Sequence, residues 1–191
     1  MFNSKTLRIF AAMIENTDKP TMNNTRDARF LTYALGIAAI FSGWLAGGGI
    51  DRYLVQVPGF RHIDIIQWGE YSRHADLGNG LFLYPAEAIV PFILFIVSFI
   101  IVLMNKQLSR LKIPVSLALI LSAAGLFFTV FAAPVMLGIK NMPNDPVLLQ
   151  QAFDTFHFWG GLRAIVQVLA FFPALWAFGL VFRNDKTGTQ V

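Results

Sequence analysis

Four long apolar runs fix what this chain can fold into. They occupy about residues 30–50, 81–104, 113–139 and 158–182. Each is close to the roughly 20 residues that a helix needs to cross a bilayer. Lipid offers no hydrogen bonds to backbone N–H and C=O groups, so a spanning segment satisfies them internally, as a helix does. No alternating period marks barrel strands, and no repeat marks a solenoid. The expected fold is therefore all-α, an integral membrane four-helix bundle. Composition agrees: 55% of residues are hydrophobic and 14% charged, against about 45–50% and about 25% in soluble domains. The chain has no cysteine, which excludes disulfides, thiolate metal sites and cysteine nucleophiles.

Charge orients the bundle. Cations crowd the N-terminal segment (Lys5, Arg8, Lys19, Arg26), the link after the second run (Lys106, Arg110, Lys112) and the C-terminal tail (Arg183, Lys186). The other two connections mix signs. The positive-inside rule then puts both termini in the cytoplasm. That distribution also accounts for the pI near 9.6, so no nucleic-acid partner is expected; the bilayer is the expected partner. Residues 1–28 read as a cytoplasmic tail, 29–183 as the transmembrane domain and 184–191 as a second tail. The apolar run at residues 9–14 is too short to span and has no cleavage site. It reads as a short surface-lying helix, and the whole suits a bacterial inner membrane.

The two mixed-charge connections differ in kind. Residues 51–80 form a long extracytoplasmic connection dense in functional groups, expected to be structured. Ile63, Trp68 and Tyr71 within it suggest a helix lying at the membrane interface, where aromatic residues anchor. Residues 141–146 read N-M-P-N-D-P, a turn in which Asn144 or Asp145 caps a helix beginning at Pro146.

Two ionisable side chains lie inside the runs, Glu87 in the second and Arg163 in the fourth. Both segments cross in the same direction, which places the two at similar depth. Charges there generally pair or line a wet cavity, and a guanidinium matches a carboxylate with two parallel hydrogen bonds. A Glu87–Arg163 pair is therefore expected. It reads either as a structural ion pair or as the floor of a ligand pocket; a third reading has Arg163 snorkelling alone to the headgroups. Gly160, Arg163 and Gln167 share one helical face, and Tyr84 stands three residues before Glu87. Pro85 and Pro91 free carbonyls that polar groups or water must satisfy. A polar pocket between the second and fourth helices explains this economically, and simple kinking is the alternative.

The three histidines, His62, His74 and His157, fall in or beside the outer connections. None has the spacing of a metal or haem ligand set, so neither metal nor cofactor is expected. His74 and His157 read either as groups bonded to loop backbone or as proton-transfer groups at an outer pocket. In the first run Gly43 and Gly47 have the G-x-x-x-G spacing that lets helices approach closely. Packing within the bundle is the first reading of that face and homodimerisation the second. Pro134 is expected to bend or break the third helix.

Several short motifs carry a resemblance. They are Trp68 with Arg73, N-G-L-F-L-Y-P from Asn79 to Pro85, M-P-N-D from Met142 to Asp145, and F-x-F-W-G-G-L-R from Phe156 to Arg163. Over about residues 30–183 the chain resembles the small four-helix membrane proteins that include the fungal anthrone oxygenases. Trp159 and Arg163 fit the W-x-x-x-R stretch that opens the last helix in that family. The resemblance implies cofactor-independent oxidation of a lipophilic ring substrate, with a base removing a proton and a cation stabilising the enolate-like charge. His157 or His74 would then be the base and Arg163 the stabiliser. Glu87, Gln167, Trp159, Tyr84, Arg73 and Trp68 would complete the ligand site.

Two functions of different kinds thus compete. One is an enzyme or binder for a lipophilic small molecule reached from the outer leaflet, which demands a cavity at Arg163. The other is a non-enzymatic membrane subunit, which demands an exposed small-residue face and no cavity. A haem or quinone redox protein and a transporter subunit stand behind these.

Overall fold

The computed structural model describes residues 22–187, with side chains over residues 27–183. The apolar run at residues 9–14 lies outside the described residues. Helix α1 (Met22–Asp51) passes through a π-helical turn (Arg52–Gln56) into the short α2 (Val57–Phe60). After a reversal come α3 (Ile65–His74), a second π-helical segment (Ala75–Asn79) and α4 (Gly80–Met104). A 3-10 turn (Lys106–Leu111) leads to α5 (Lys112–Ile139), and α6 (Pro146–Thr187) completes the chain. No strand occurs among the described residues.

Four helical rods are long and apolar enough to cross a membrane: Asp27–Phe60, Ile65–Met104, Lys106–Ile139 and Pro146–Arg183. Fewer than half of the residues in their most apolar windows are buried. Large apolar side chains point outward instead; Phe82 is 79% exposed and Ile40 69%. Such a surface is stable against lipid and not against water.

The rods outrun the apolar runs that announced them. Helix α6 begins at Pro146 because Asp145 caps it, its Oδ1 accepting from the N–H groups of Val147 (2.8 Å) and Leu148 (3.2 Å). Of the two caps the turn offered, Asn144 and Asp145, the structure uses Asp145. Pro134 does not break α5, which continues to Ile139.

Residues 51–80 are not a loop but a helical hairpin that prolongs α1 and α4. Asp64 caps α3 by accepting from Ile66 N–H at 2.9 Å. Trp68, expected at an interface, is fully buried and meets Phe153 edge-on at 5.0 Å. The reason is the neighbouring glycine: a Cβ at Gly69 would stand 3.1 Å from Leu149, so α3 folds tightly against α6. Tyr71 is the exposed aromatic of this helix and leans on Phe60 at 5.1 Å.

Small residues set the α1–α6 contact. A Cβ at Gly36 would lie 3.1 Å from Phe178, and one at Gly43 3.0 Å from Phe171. Gly43 is thus filled from within the chain, while Gly47 has open space around it. Two apolar clusters close the ends of the bundle. Leu31, Leu35, Phe95, Val102 and Val181 form one. Trp68, Ile139, Leu149, Phe153 and Phe156 form the other. The interior between them is not filled.

Candidate functional site

A cavity of about 420 Å³ occupies that interior, bounded by all four rods and both π-helical segments. On α1 and its continuation the lining repeats every fourth residue: Trp44, Gly48, Arg52, Gln56. On α5 it extends from Leu126 to Leu137, or about 16 Å at the helical rise per residue. Most of the wall is apolar, and the polar groups gather on α6, the first turns of α4 and the two π-helical segments.

The strongest polar feature joins those two segments. Arg52 donates from Nη1 and Nη2 to the two carboxylate oxygens of Asp76, at 2.9 and 2.8 Å. Tyr84 donates its hydroxyl to Asp76 Oδ1 at 3.3 Å, and the Arg52 guanidinium lies over the Phe156 ring at 5.2 Å. Two parallel charge-assisted bonds make this the best-satisfied ion pair in the site. Departures into π-helix turn such residues out of the regular α stripe and recur at functional sites.

Tyr53 crosses from α1's continuation to α6, where its hydroxyl donates to the His157 carbonyl at 3.2 Å. Its phenol occupies the space where a Cβ at Gly160 would sit, and a Cβ at Gly161 would be 3.4 Å from its ring. The glycine pair in F-W-G-G-L-R is therefore a seat for Tyr53.

Arg163 faces the cavity one turn further along α6. Its Nε is buried without a hydrogen-bond partner. Among the described residues no ion pair includes Arg163 or Glu87. The expected Glu87–Arg163 bridge is thus not formed, although both residues front the same cavity. The two helices explain this: α4 and α6 pack on α1 and α5 rather than on each other, so the residues look at one another across the bundle centre. Gln167 lines the cavity below Arg163. It also borders a void of about 10 Å³ with Ser42 and Ser122, room for about one water molecule.

Of the residues expected at a ligand site, Tyr84, Glu87, Arg163 and Gln167 come together here. The rest do not. Trp68 is core. Trp159 stacks on Phe131 at 4.7 Å and sits outside the lining. Arg73 is a strut. It donates to the carbonyls of Ile139 (3.1 Å) and Met142 (2.7 Å), to Asn144 Oδ1 (2.7 Å) and to Glu70 (2.6 Å). That ties α3 to the α5–α6 turn and commits its guanidinium. His74 is a surface residue, 85% exposed at its side chain and 3.8 Å from Glu70. His157 is boxed by Tyr53, Trp68, Phe153 and Phe156. Its Nδ1 lies 2.7 Å from the Phe153 carbonyl and so carries the proton, which leaves Nε2 buried without a partner. Neither histidine lines the cavity. Among the described residues, no three His, Cys, Asp or Glu side chains converge as a metal site.

No family model, curated protein or solved structure matches the chain. The site therefore has to be read from its own chemistry. Arg52, Tyr53 and Asp76 belong to it and escaped the reading of isolated spans. The signal was present: Asp76, Gly80 and Tyr84 repeat every fourth residue, as do Trp44, Gly48 and Arg52. Both stripes emerge once the helices are carried past the apolar runs.

Proposed function

We propose that this membrane protein holds a lipophilic small molecule in the cavity, with a hydrogen-bond-accepting head against Arg163. One observation carries the reading. The Arg163 guanidinium borders a largely apolar chamber, its Nε unpartnered and no carboxylate within ion-pair reach among the described residues. A buried cation in that state is costly, and such groups mark ligand pathways in membrane proteins. A bound acceptor offsets the cost. The volume of about 420 Å³ falls within the range of small-molecule sites, about 300–1,000 Å³.

The cavity argues against a purely structural subunit, which needs no chamber. The placing of His74 and His157 outside the lining removes support for haem ligation there. Cation distribution favours insertion in an inner membrane with both termini cytoplasmic and the 51–80 hairpin outside.

The test is direct. The protein is purified in mild detergent and the extracted lipophilic molecules are identified by mass spectrometry. Wild type retains a discrete compound in near-stoichiometric amount, and Arg163→Gln loses most of it, as expected when a charge-assisted bond worth about 1.5–3 kcal/mol goes. Equal recovery from both proteins, or none from wild type, would sink the reading.

A second reading adds chemistry to binding. Glu87 and Arg163 stand unpaired in one apolar chamber, a carboxyl and a cation both open to a ligand. The proton abstraction implied by the resemblance to anthrone oxygenases would then use Glu87 as the base in place of a histidine, with Arg163 beside the developing negative charge. Turnover of a lipophilic enolisable ring ketone, lost in Glu87→Gln while the compound still binds, would support it; turnover unaffected by that change would reject it.

A further inference from the structure

The cavity wall is open between α1 and the first turns of α4, where its lining is apolar and exposed. Gly49 and Tyr53 line the cavity on the edge of α1 that contacts α6, at Ala164 and at Gly160–Gly161. The other edge of the same lining, Trp44 and Gly48, therefore turns toward α4. A Cβ at Gly48 would have no neighbour within 4 Å, so no side chain of α4 closes on the helix there. Across the gap, the first turns of α4 stand away from the bundle. Every residue from 81 to 86 is exposed, whereas a packed helix buries about one position in three or four. Leu81, Leu83, Tyr84 and Pro85 in that stretch line the cavity all the same. Trp44 is at once 54% exposed and part of the lining, and Leu81 is 43% exposed. Exposed apolar residues in the lining frame an open stretch of the wall.

We infer that the α1–α4 seam at Gly48 is a lateral portal. Through it the cavity exchanges a single-chain amphiphile with the bilayer, the acidic head going to Arg163 and the tail lying along the seam. This rests on the binding reading above and adds the class of ligand and its route. Three features select that class. The chamber is long and narrow, about 16 Å along the helices. Arg163 stands in it with an unpartnered Nε and no ion-pair partner among the described residues, and a guanidinium matches a carboxylate head in bidentate fashion. Its side opening is framed by apolar residues and a glycine, which passes a hydrocarbon chain at little cost. A bulkier, water-borne ligand would need a polar mouth instead.

The glycines make the test clean, because a Cβ at Gly47 or Gly48 would have no neighbour within 4 Å. Gly48→Phe fills the seam. Gly47→Phe, one position round the helix and outside the lining, adds the same ring to the outer surface. Wild type and both variants are reconstituted in phosphatidylcholine vesicles. Parinaric acid, a polyene fatty acid that accepts energy from tryptophan, is delivered from donor vesicles, and its arrival beside Trp44 is followed by energy transfer. The expected result is uptake by wild type and by Gly47→Phe at similar rates. Gly48→Phe should slow by about tenfold or more while reaching a comparable final signal, the behaviour of a blocked path rather than a lost site. Arg163→Gln should lose the bound signal. Uptake by Gly48→Phe at the rate of Gly47→Phe overturns the portal. Equal slowing in both variants also overturns it, since a second copy covering the outer face would then be responsible. No uptake of parinaric acid by wild type overturns the ligand class, and the co-purification experiment reports separately whether the cavity binds anything.

Discussion

Arg52 and Asp76 are locked together by two hydrogen bonds of 2.9 and 2.8 Å, each residue standing on its own π-helical segment. The pair staples the two arms of the 51–80 hairpin at the polar end of the cavity. Asp76 is only 4% exposed, so neither partner can fall back on water.

Breaking one side of this pair should be far worse than removing both. Asp76→Ala strands a buried guanidinium and is expected to cost about 3–5 kcal/mol. The double substitution Arg52→Met, Asp76→Leu replaces the charges by apolar volume and should recover much of that loss. Thermal unfolding in detergent, followed by tryptophan fluorescence, reads the comparison. A double variant as unstable as the sum of the two singles would contradict the pairing.

Gly160 and Tyr53 should behave as one unit. A methyl group at position 160 overlaps the Tyr53 phenol, so Gly160→Ala is expected to destabilise by about 1–3 kcal/mol, the usual cost of overpacking. Tyr53→Phe removes the obstructing oxygen together with its bond to the His157 carbonyl. Added to Gly160→Ala it should restore stability rather than lower it further. A double-mutant cycle with no coupling would show that the ring does not seat on the glycine pair.

Arg73 acts on the hairpin and not on the ligand. Arg73→Lys keeps the charge but cannot reproduce the fork that reaches Ile139, Met142 and Asn144. Proteolysis at the turn of residues 141–146 should rise and thermal stability fall, by about 2 kcal/mol, with the co-purifying compound retained. Loss of the compound at unchanged stability would place Arg73 in the binding site after all.

His157 should be replaceable. Its ring is packed among aromatics with Nε2 unsatisfied, so His157→Phe removes one bond to Phe153 and one stranded acceptor together. Stability is expected to change by no more than about 1 kcal/mol. Ligand retention in His157→Phe and in His74→Ala should match wild type. A specific loss of binding in either would return the histidines to the site.

The sequence by itself determined the spans, the helical class, a capped helix start at Pro146 and the shared face of Arg163 and Gln167. Each of these depends on local rules: a bilayer needs a certain apolar length, a helix start needs an acceptor, and residues four apart share a face. It also brought Glu87, Tyr84 and Arg163 to one place, because parallel crossings put similar sequence offsets at similar depth. Only the tertiary structure decided who pairs with whom. Arg52 and Asp76 are 24 residues apart on segments that composition marks as a connection, and two π-helical turns shift them into register. Whether Glu87 reaches Arg163 depends on whether their helices are neighbours or diagonal partners, and no periodicity in either helix encodes that. The glycines divide the same way: their spacing announces close approach, but only packing assigns Gly43 to Phe171, Gly160 to Tyr53, and Gly48 to an empty seam.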